Sequence, residues 1–503
     1  MNIQLRHITT LLYIIATTSL VAATPDSVLT EHQQAWNLLD AETWKNPALH
    51  GQAFKTAYSQ LAISLDLTDQ TEAFTLQKGT GSTLYDIEAD TYLRLSDHSS
   101  VWGKASYMTG KNRNIKWNSV SDYELLEPYI LADTMGGNTE RERYVFEGGY
   151  AAKVGSVLMG GEMLFRAEHE YRTIDPRMRA IVTDLTLRGG VAYETGTYLL
   201  GAAAEANIYK QTDNVTFYRE TGVIPEFQMT GLGAIYVRFS GEVNNLYFNG
   251  GGAQLYLNVQ PRNGQGLFTN ITIGEHRYER IAASLNSLPL TKLYREEAKL
   301  QAGWRKSGKT DLAIYADAQY ICRLGDENMV GSSQSNSYPI LTTLTMYKNN
   351  IIDASMNMVY GQRQHSSWHI AMKVGYMQNH EKYVEPERKQ NVSRIYSQLS
   401  AQYITGLGKK GTLTCALTGG YHKNLDSQLS IPVVNTEKAA VKMQNHNFRY
   451  LKADYTVVNA QIRYDHGIGT SRYAMFGALS GGATFYSESE YEQYLAVKLG
   501  ITF

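Results

Sequence analysis

The sequence predicts an all-β chain that folds as a transmembrane, antiparallel, up-and-down β-barrel of about 16–18 strands, with a short N-terminal periplasmic segment. Three patterns predict it. Segments of about ten residues alternate in polarity along most of the chain, short turns alternate with long loops, and the final alternating segment ends on an aromatic residue. The formal net charge of -1 over 503 residues indicates no excess that would favour nucleic acid as a partner.

The first residues predict export from the cytoplasm. A weakly basic start with Arg6 and His7 precedes an apolar run, residues 11–21, and the small residues Ala22 and Ala23. This pattern predicts a signal peptide over residues 1–23. A membrane anchor is the alternative, but the run is shorter than the roughly 20 apolar residues that a spanning helix needs.

Residues 24–57 have a sequence pattern different from that of the rest of the chain. Leu29, Trp36, Leu38 and Leu39 give them the pattern of a short amphipathic helix. We expect either a periplasmic segment or a small insert in the lumen, followed by the barrel over residues 58–503.

The alternation indicates which side chains would face lipid. In WHIAMKVGY, the residues Trp368, Ile370, Met372, Val374 and Tyr376 share one face. A soluble β-sandwich would show similar alternation. The recurring succession of short turns and long loops favours the barrel, with the short turns on the periplasmic side. The 36 tyrosines against 13 phenylalanines fit strands with an aromatic-rich boundary.

Turn residues divide the chain into strands, except in two stretches. Short turns are predicted near Asp97, Gly155, Gly196, Gly308, Lys409 and Gly469. Long connections are predicted over residues 112–139, 211–229, 325–337, 380–392 and 424–445. Residues 234–259 and 338–361 can each be read as one strand or two, which leaves the strand count open.

Charged residues on the opposite face are candidates for lining the lumen. They are Asp86, Glu88, Asp90, Arg94, Lys104, Glu162, Arg166, Arg188, Lys373, Arg463 and Lys498. They could bind or conduct polar solutes. Alternatively, they form ion pairs across the lumen that hold the barrel in shape.

The end of the chain resembles the C-terminal sorting signal of outer-membrane barrels. The apolar alternation closed by an aromatic residue consists of Tyr491, Leu495, Val497, Leu499, Ile501 and Phe503. The resemblance implies that barrel-assembly machinery reads these residues. It also implies location in the cell outer membrane, in contact with its lipid.

Two further resemblances concern the family. Asn46, Pro47 and Ala48, just before the first strand, resemble the N-P-A motif of long-chain fatty-acid transporters. The whole chain is similar to uncharacterised single-chain outer-membrane β-barrels of Gram-negative bacteria. These resemblances imply a fold and a location, but no substrate.

The sequence contains none of the motifs that would indicate an enzyme, a metal or a cofactor. HExxH, G-x-S-x-G, P-loop and CxxC patterns are absent. An embedded hydrolase would need a serine beside one of the loop histidines His365, His380, His422 and His446. Cys322 and Cys415 are too few for a disulfide scaffold.

The expected function is therefore a barrel for passive passage or capture of a small nutrient, polar or hydrophobic. The alternative is a structural or docking barrel whose loops bind a surface partner such as a lipoprotein. In that case Trp117, Tyr123 and Tyr129 would be exposed anchors.

Overall fold

The computed structural model describes residues 22–23, 26–218, 226–239, 243, 245–333, 337–363, 366–432, 438–469, 473–487 and 489–503. The predicted signal peptide lies outside these residues except for Ala22 and Ala23. Among the described residues, no helix is long and apolar enough to cross a membrane.

Long strands make up most of the chain after Ala57, as the alternating pattern predicts. The first nine are β1 (Tyr58–Gln70), β2 (Gly81–Ser96), β3 (Ser99–Ile115), β4 (Gly137–Val154), β5 (Val157–Tyr171), β6 (Arg177–Thr195), β7 (Tyr198–Thr216), β8 (Asn245–Pro261) and β9 (Gln265–Ala282). The others are β10 (Leu288–Lys306), β11 (Thr310–Val330), β12 (Ile340–Arg363), β13 (Ser366–Tyr383), β14 (Arg388–Leu407), β15 (Gly411–Ser430), β16 (Tyr455–Gly467), β17 (Ala474–Tyr486) and β18 (Tyr491–Thr502).

The strands close into a barrel. Each pairs antiparallel with the next, and β18 returns to β1, where Ile501 lies opposite Leu61. The described residues thus form a closed antiparallel barrel of 18 strands, which confirms the predicted fold at the upper end of its range. A two-residue strand, Ala22–Ala23, pairs with the end of β14.

Along the chain, the helices come before the first barrel strand or in the connections between strands. The α-helices are α1 (Ser27–Gln33), α2 (Pro47–His50), α3 (Tyr123–Leu126) and α4 (Lys438–Leu451). Short 3-10 helices span Ala35–Asp40, Thr43–Lys45, Leu76–Lys78, Val237–Phe239 and Ala283–Leu285.

The structure settles the two ambiguous stretches differently. Residues 234–259 contain the short strand Ala234–Ile235 and a 3-10 helix before β8 begins. Residues 338–361 contain one long strand, β12, from Ile340 onward, because Asn350 continues the ladder and lies opposite both Cys322 and His380.

The two ends of the barrel differ. One, the turn end, carries tight connections in which Gly155, Gly196 and Gly408 take positive φ angles of 61°, 52° and 65°. The other, the loop end, carries the long connections, among them residues 116–136. The long connection predicted over residues 380–392 is wrong, because the ladder of β13 and β14 continues until only residues 384–387 remain.

The outer wall is apolar, whereas the inner wall is mixed. In β18, Leu495, Val497, Leu499 and Ile501 point outward and are 38–54% exposed. Between them, Lys498 points inward and contacts Glu88. This is the outer surface that a membrane-spanning barrel presents.

Candidate functional site

An N-terminal segment lines the inside of the barrel at the turn end. Residues 26–57, here called the belt, contact successive strands in descending order, from β15 back to β2. The contacts include Asp26 N to Thr412 Oγ1 (3.2 Å), Ala35 N to Gln402 Oε1 (2.6 Å), Glu42 Oε1 to Lys299 Nζ (2.6 Å), Asn46 Nδ2 to Asn258 Oδ1 (3.1 Å) and Gly51 O to Tyr92 Oη (2.8 Å). The belt therefore follows the inner circumference of the barrel.

The predicted N-P-A residues form the most tightly seated part of the belt. The Asn46 side chain caps α2 by accepting from Ala48 N at 3.0 Å, and Pro47 occupies the first turn. Asn46 is fully buried against Gly190, where an added Cβ would lie 2.1 Å from Asn46 Oδ1. At Gly160, a Cβ would lie 2.5 Å from the Pro47 carbonyl carbon. The motif thus has a structural role in docking the belt.

Apolar and ionic contacts hold the rest of the belt. Trp36 is 5% exposed and packs with Phe268, Ala313 and Val359. Burial alone would raise the pKa of Glu42, but hydrogen bonds and attraction from Lys299 and Lys45 lower it below its usual value. Beside the belt is a cavity of about 830 Å³, lined by residues such as Glu31, Trp44, Phe54 and Arg262.

All the charged residues predicted to line the lumen are on the inner wall, and three clusters bring most of them together. In the first, Glu88 accepts from Lys104 at 2.7 Å and from Lys498 at 3.1 Å, with Asp86 and Asp90 beside it on β2. Lys104 and Lys498 remain 40% and 33% exposed. Because these side chains point inward, the lumen next to them is open to solvent.

The second cluster centres on Arg188. Its guanidinium donates to Glu162 at 2.7 Å and to Glu205 at 2.6 Å. Trp102 Nε1 donates to the other oxygen of Glu162 at 2.9 Å. Both carboxylates are nearly buried, so these charged groups pair with one another and stiffen the wall.

The third cluster links the wall to a loop. Arg166 donates to Asp122 at 2.7 Å and 2.9 Å, and to Asp184 and Glu168 at 3.2 Å. Asp122 lies just before α3, so Arg166 positions the long connection between β3 and β4 inside the barrel.

The remaining predicted residues have separate partners. Arg94 donates to the belt carbonyl of Phe54 at 3.3 Å. Arg463 pairs with Asp465 at 2.7 Å and donates to Tyr58 Oη at 3.2 Å. The Lys373 ammonium lies 5.6 Å from the centre of the Tyr396 ring. Structural pairing therefore occupies much of the predicted lumen charge.

Sequence reasoning missed a packed plug at the loop end. The described residues of 116–136 and 226–243, here called the loop cluster, fold into the barrel. Strand Leu131–Ala132 pairs with Phe227–Gly231, which pairs with Ala234–Ile235. Buried core members from the loops, the wall and α4 are Leu126, Ile130, Leu131, Leu232, Phe248, Tyr278, Leu293 and Met443.

The aromatic residues predicted to be exposed anchors belong to this plug instead. Trp117 is 6% and Tyr129 2% exposed, and Tyr123 packs against the same core. The prediction of exposed anchors is wrong, because the loop turns inward and buries its apolar side chains against the wall.

Wall arginines hold the loop cluster by its backbone. Arg280, which is 1% exposed, donates to the carbonyls of Met229 at 3.0 Å and Ile130 at 3.4 Å. Arg388 donates to the carbonyl of Leu232 at 3.1 Å. Such contacts join positions far apart in sequence, so no local pattern could have indicated them.

A buried ionic group lies within the loop cluster. Arg172 donates to Asp133 at 2.8 Å, and both side chains are completely buried. Ser119 Oγ lies 3.2 Å from Asp133 and 3.4 Å from Glu226. Burial, and after it the charge of Asp133, raises the pKa of Glu226 to about 8.

Neither a metal centre nor a serine–histidine pair is formed by the part of the chain that the structure describes. His446 Nε2 lies 2.7 Å from the Ala73 carbonyl oxygen, and His422 stacks between Tyr396 and Tyr455. His380 lies on β13 opposite Asn391. His365 falls outside the described residues.

The predicted C-terminal assembly residues all point outward. They are Tyr491, Leu495, Val497, Leu499, Ile501 and Phe503, with Phe503 53% exposed at the turn end. Phe503 N donates to Ser59 O at 2.9 Å, and Phe503 O accepts from Ser59 N at 3.0 Å. Its backbone thus extends the closing ladder, while its ring stays 53% exposed and lies 6.3 Å from the Tyr473 ring.

Replacing Phe503 by aspartate is expected to lower the amount of folded barrel in membranes. A charge near the interface costs only about 0–1 kcal/mol, so the loss would come from assembly and not from stability. The measurement is heat-modifiable gel mobility of membrane fractions, with Gln493→Asp on the same outward row as control. Equal amounts of folded barrel in the two variants would contradict this role.

Comparison with known proteins gives one family match and several distant structural matches. A model of a family of unknown function (DUF6850) matches residues 47–503. No curated protein matches the chain. Among solved structures, the chain is similar to a mutant ferric enterobactin receptor of Pseudomonas aeruginosa, with 6% identity, a TM-score of 0.38, and coverage of 89% of this chain and 80% of that one.

Two further structures show the same level of similarity. The siderophore receptor PiuA of Acinetobacter baumannii has 7% identity and a TM-score of 0.38, over 90% of this chain and 82% of that one. The alcaligin outer membrane receptor FauA of Bordetella pertussis has 8% identity and a TM-score of 0.32, over 87% and 75%. These values are too low to carry a functional argument, and the matches lend no support to the fatty-acid transporter resemblance.

Proposed function

The chain belongs to the family of unknown function DUF6850, and we propose that it is an outer-membrane barrel that takes up a small polar solute through a gated lumen. The observation that carries this proposal is a solvent-accessible lumen whose loop end, among the described residues, is filled by a packed plug. Lys104, Lys498 and Tyr494 point into the lumen and remain 40%, 33% and 37% exposed.

The orientation follows from the lengths of the connections. In outer-membrane barrels, short turns face the periplasm and long loops face outside. The loop cluster would then close the outer mouth, and the belt would line the periplasmic mouth. A solute entering from outside would have to displace the loop cluster before it reached the charged lumen wall.

Gating fits the geometry better than passive diffusion. The loop cluster is held by buried apolar contacts and by the hydrogen bonds of Arg280 and Arg388 to its carbonyls. A free pore would have hydrated loops at its constriction. Within the lumen, Glu88 and its two lysine partners offer both signs of charge to a polar solute.

The docking-barrel alternative is favoured by a different observation. The start of β12, Ile340–Thr345, pairs with β11 but lies beyond the end of its ladder with β13. Every one of its residues is exposed, and Leu341 is 70% exposed. An unpaired strand edge of this kind can accept a strand from a partner protein.

Planar-bilayer conductance of the full chain tests the proposal. We expect the wild-type protein to be almost silent and Arg280→Met to open about tenfold more often or more, because hydrogen bonds to a charged group are worth about 1.5–3 kcal/mol. Arg179→Met, which alters an exposed outward arginine at the loop end, is the matched control and should behave as wild type.

The other outcomes are equally informative. Steady conductance in the wild type would contradict gating and favour a passive pore. Silence of the Arg280→Met variant, when hydrogen exchange shows that its loop cluster has loosened, would contradict uptake through the lumen and favour the docking barrel.

A further inference from the structure

The outer wall of β6–β9 carries an apolar groove that faces the membrane. Its volume is about 380 Å³, and it runs over Gly189, Ala202 and Ala204. Leu255 and Leu257 form its raised side and are 62% and 51% exposed. Ala204 lies opposite Leu255 and Ala202 opposite Leu257 in register, so the wall is indented at the small residues.

A second, polar cavity continues this groove towards the loop end. It measures about 630 Å³ and is lined by Gly251, Glu275, Arg277, Glu279 and Lys292, among others. Arg277 is paired directly opposite Gly251, and both residues line this cavity.

The register shows that the two cavities are continuous. Leu255 and Ile273 form one outward pair in the groove, and Ala253 and Glu275 form the next outward pair towards the loop end. From Leu255 to Gly251 the strand rises about 14 Å. An apolar groove followed at this distance by a charged cavity matches the acyl chain and headgroup of one lipid.

The charges in the polar cavity are of both signs. Arg277 and Lys292 offer donors suited to a phosphate. Glu275 lies directly opposite Glu296 on β10, and both are exposed. Like charges facing each other across strands are unfavourable unless a cation lies between them. No salt bridge within the described residues neutralises this pair.

We propose that this surface binds one membrane phospholipid with a zwitterionic phosphoethanolamine headgroup. The phosphate would be bound by Arg277 and Lys292, the ammonium would lie between Glu275 and Glu296, and one acyl chain would fill the groove. The site is independent of the proposed uptake, since it lies on the outside of the barrel.

Native mass spectrometry of the full chain, released from detergent after incubation with defined lipids, tests the site. The probes are phosphatidylethanolamine and phosphatidylglycerol with identical acyl chains. We expect wild-type barrel to retain one phosphatidylethanolamine in preference to phosphatidylglycerol. The Ala204→Leu and Glu275→Gln variants should each retain about fivefold less, a loss equivalent to one exposed ion pair at the upper end of its range.

Matched controls separate the site from general effects on the wall. Ala318→Leu adds the same bulk to an outward alanine of β11, and Arg179→Gln removes an outward charge elsewhere. Heat-modifiable mobility establishes that each variant is folded. Equal retention of the two lipids, preferential retention of phosphatidylglycerol, or variants that match their controls would each overturn the proposal.

Discussion

Replacing Arg172 by methionine is expected to destabilise the loop cluster by about 3–5 kcal/mol, the usual cost of removing one partner of a buried ion pair. Arg172 and Asp133 are completely buried, 2.8 Å apart. Without the guanidinium, Asp133 keeps only neutral donors, Ser119 Oγ and Gly136 N. Arg172 also donates to the carbonyl of Pro176 at 3.2 Å, which in the variant would keep only its hydrogen bond from Met178 N.

Hydrogen exchange of the backbone amides of residues 117–132 measures this effect. It reports local opening free energies, so the expected loss corresponds to exchange faster by a factor of about a hundred to a few thousand. Arg177, which pairs with Asp175 but is itself 40% exposed, supplies a control, and Arg177→Met should change exchange much less. A small effect at Arg172 would mean that the plug does not depend on this pair.

The same measurement has an expected pH dependence that comes from Glu226. Its pKa is raised to about 8 in the folded cluster, so the folded state retains a proton that the opened state loses near its ordinary pKa. The stability that this proton gives the loop cluster is therefore fully present below the ordinary pKa of a glutamate, and it declines as the pH rises to about 8. Glu226→Gln should flatten this decline, after correction for intrinsic exchange rates.

Sequence patterns predicted the barrel wall well because the surroundings of each strand determine the polarity of its own successive residues. Lipid on one side and the lumen on the other impose a two-residue period, which the outward row of β18 and the inward Lys498 both follow. Strand boundaries followed the turn glycines at the turn end. The sequence left open whether residues 338–361 hold one strand or two, and no break occurs at Asn349 and Asn350 because ladder pairing with both neighbours overrides their preference for turns.

The interior was much less predictable, because it depends on which distant segments meet. Nothing near Trp117 indicates that its loop turns inward, and Arg280 reads as one more strand charge. A signal for the belt did exist in the sequence. Gly160–Gly161 and Gly189–Gly190 occupy adjacent strands in register, and paired inward glycines mark a place where another backbone approaches closely.

Displacement of the belt from these inward glycines is the second large expected effect. Gly160→Val should displace the belt from the inner wall, because the added Cβ would lie 2.5 Å from the Pro47 carbonyl carbon and 2.6 Å from Ala48 N. Both contacts are with backbone, which cannot move aside as a side chain could. Overpacking of this kind costs about 1–3 kcal/mol, which would increase the population of undocked belt by about fivefold to 150-fold.

Cysteine labelling at Ala48→Cys detects the undocked belt, because Ala48 is completely buried in the docked state. Cys322 and Cys415 are first replaced by serine so that only the new thiol reacts. Gly161→Val is the matched control, since its side chain points outward and its Cβ meets only Arg188 O at 3.9 Å. Faster labelling with Gly160→Val than with Gly161→Val would show that the N-P-A turn is held by fit to the wall. Equal rates would mean that other contacts of the belt retain it, such as the packing of Trp36 and the ion pairs of Asp40 with Arg305 and of Glu42 with Lys299.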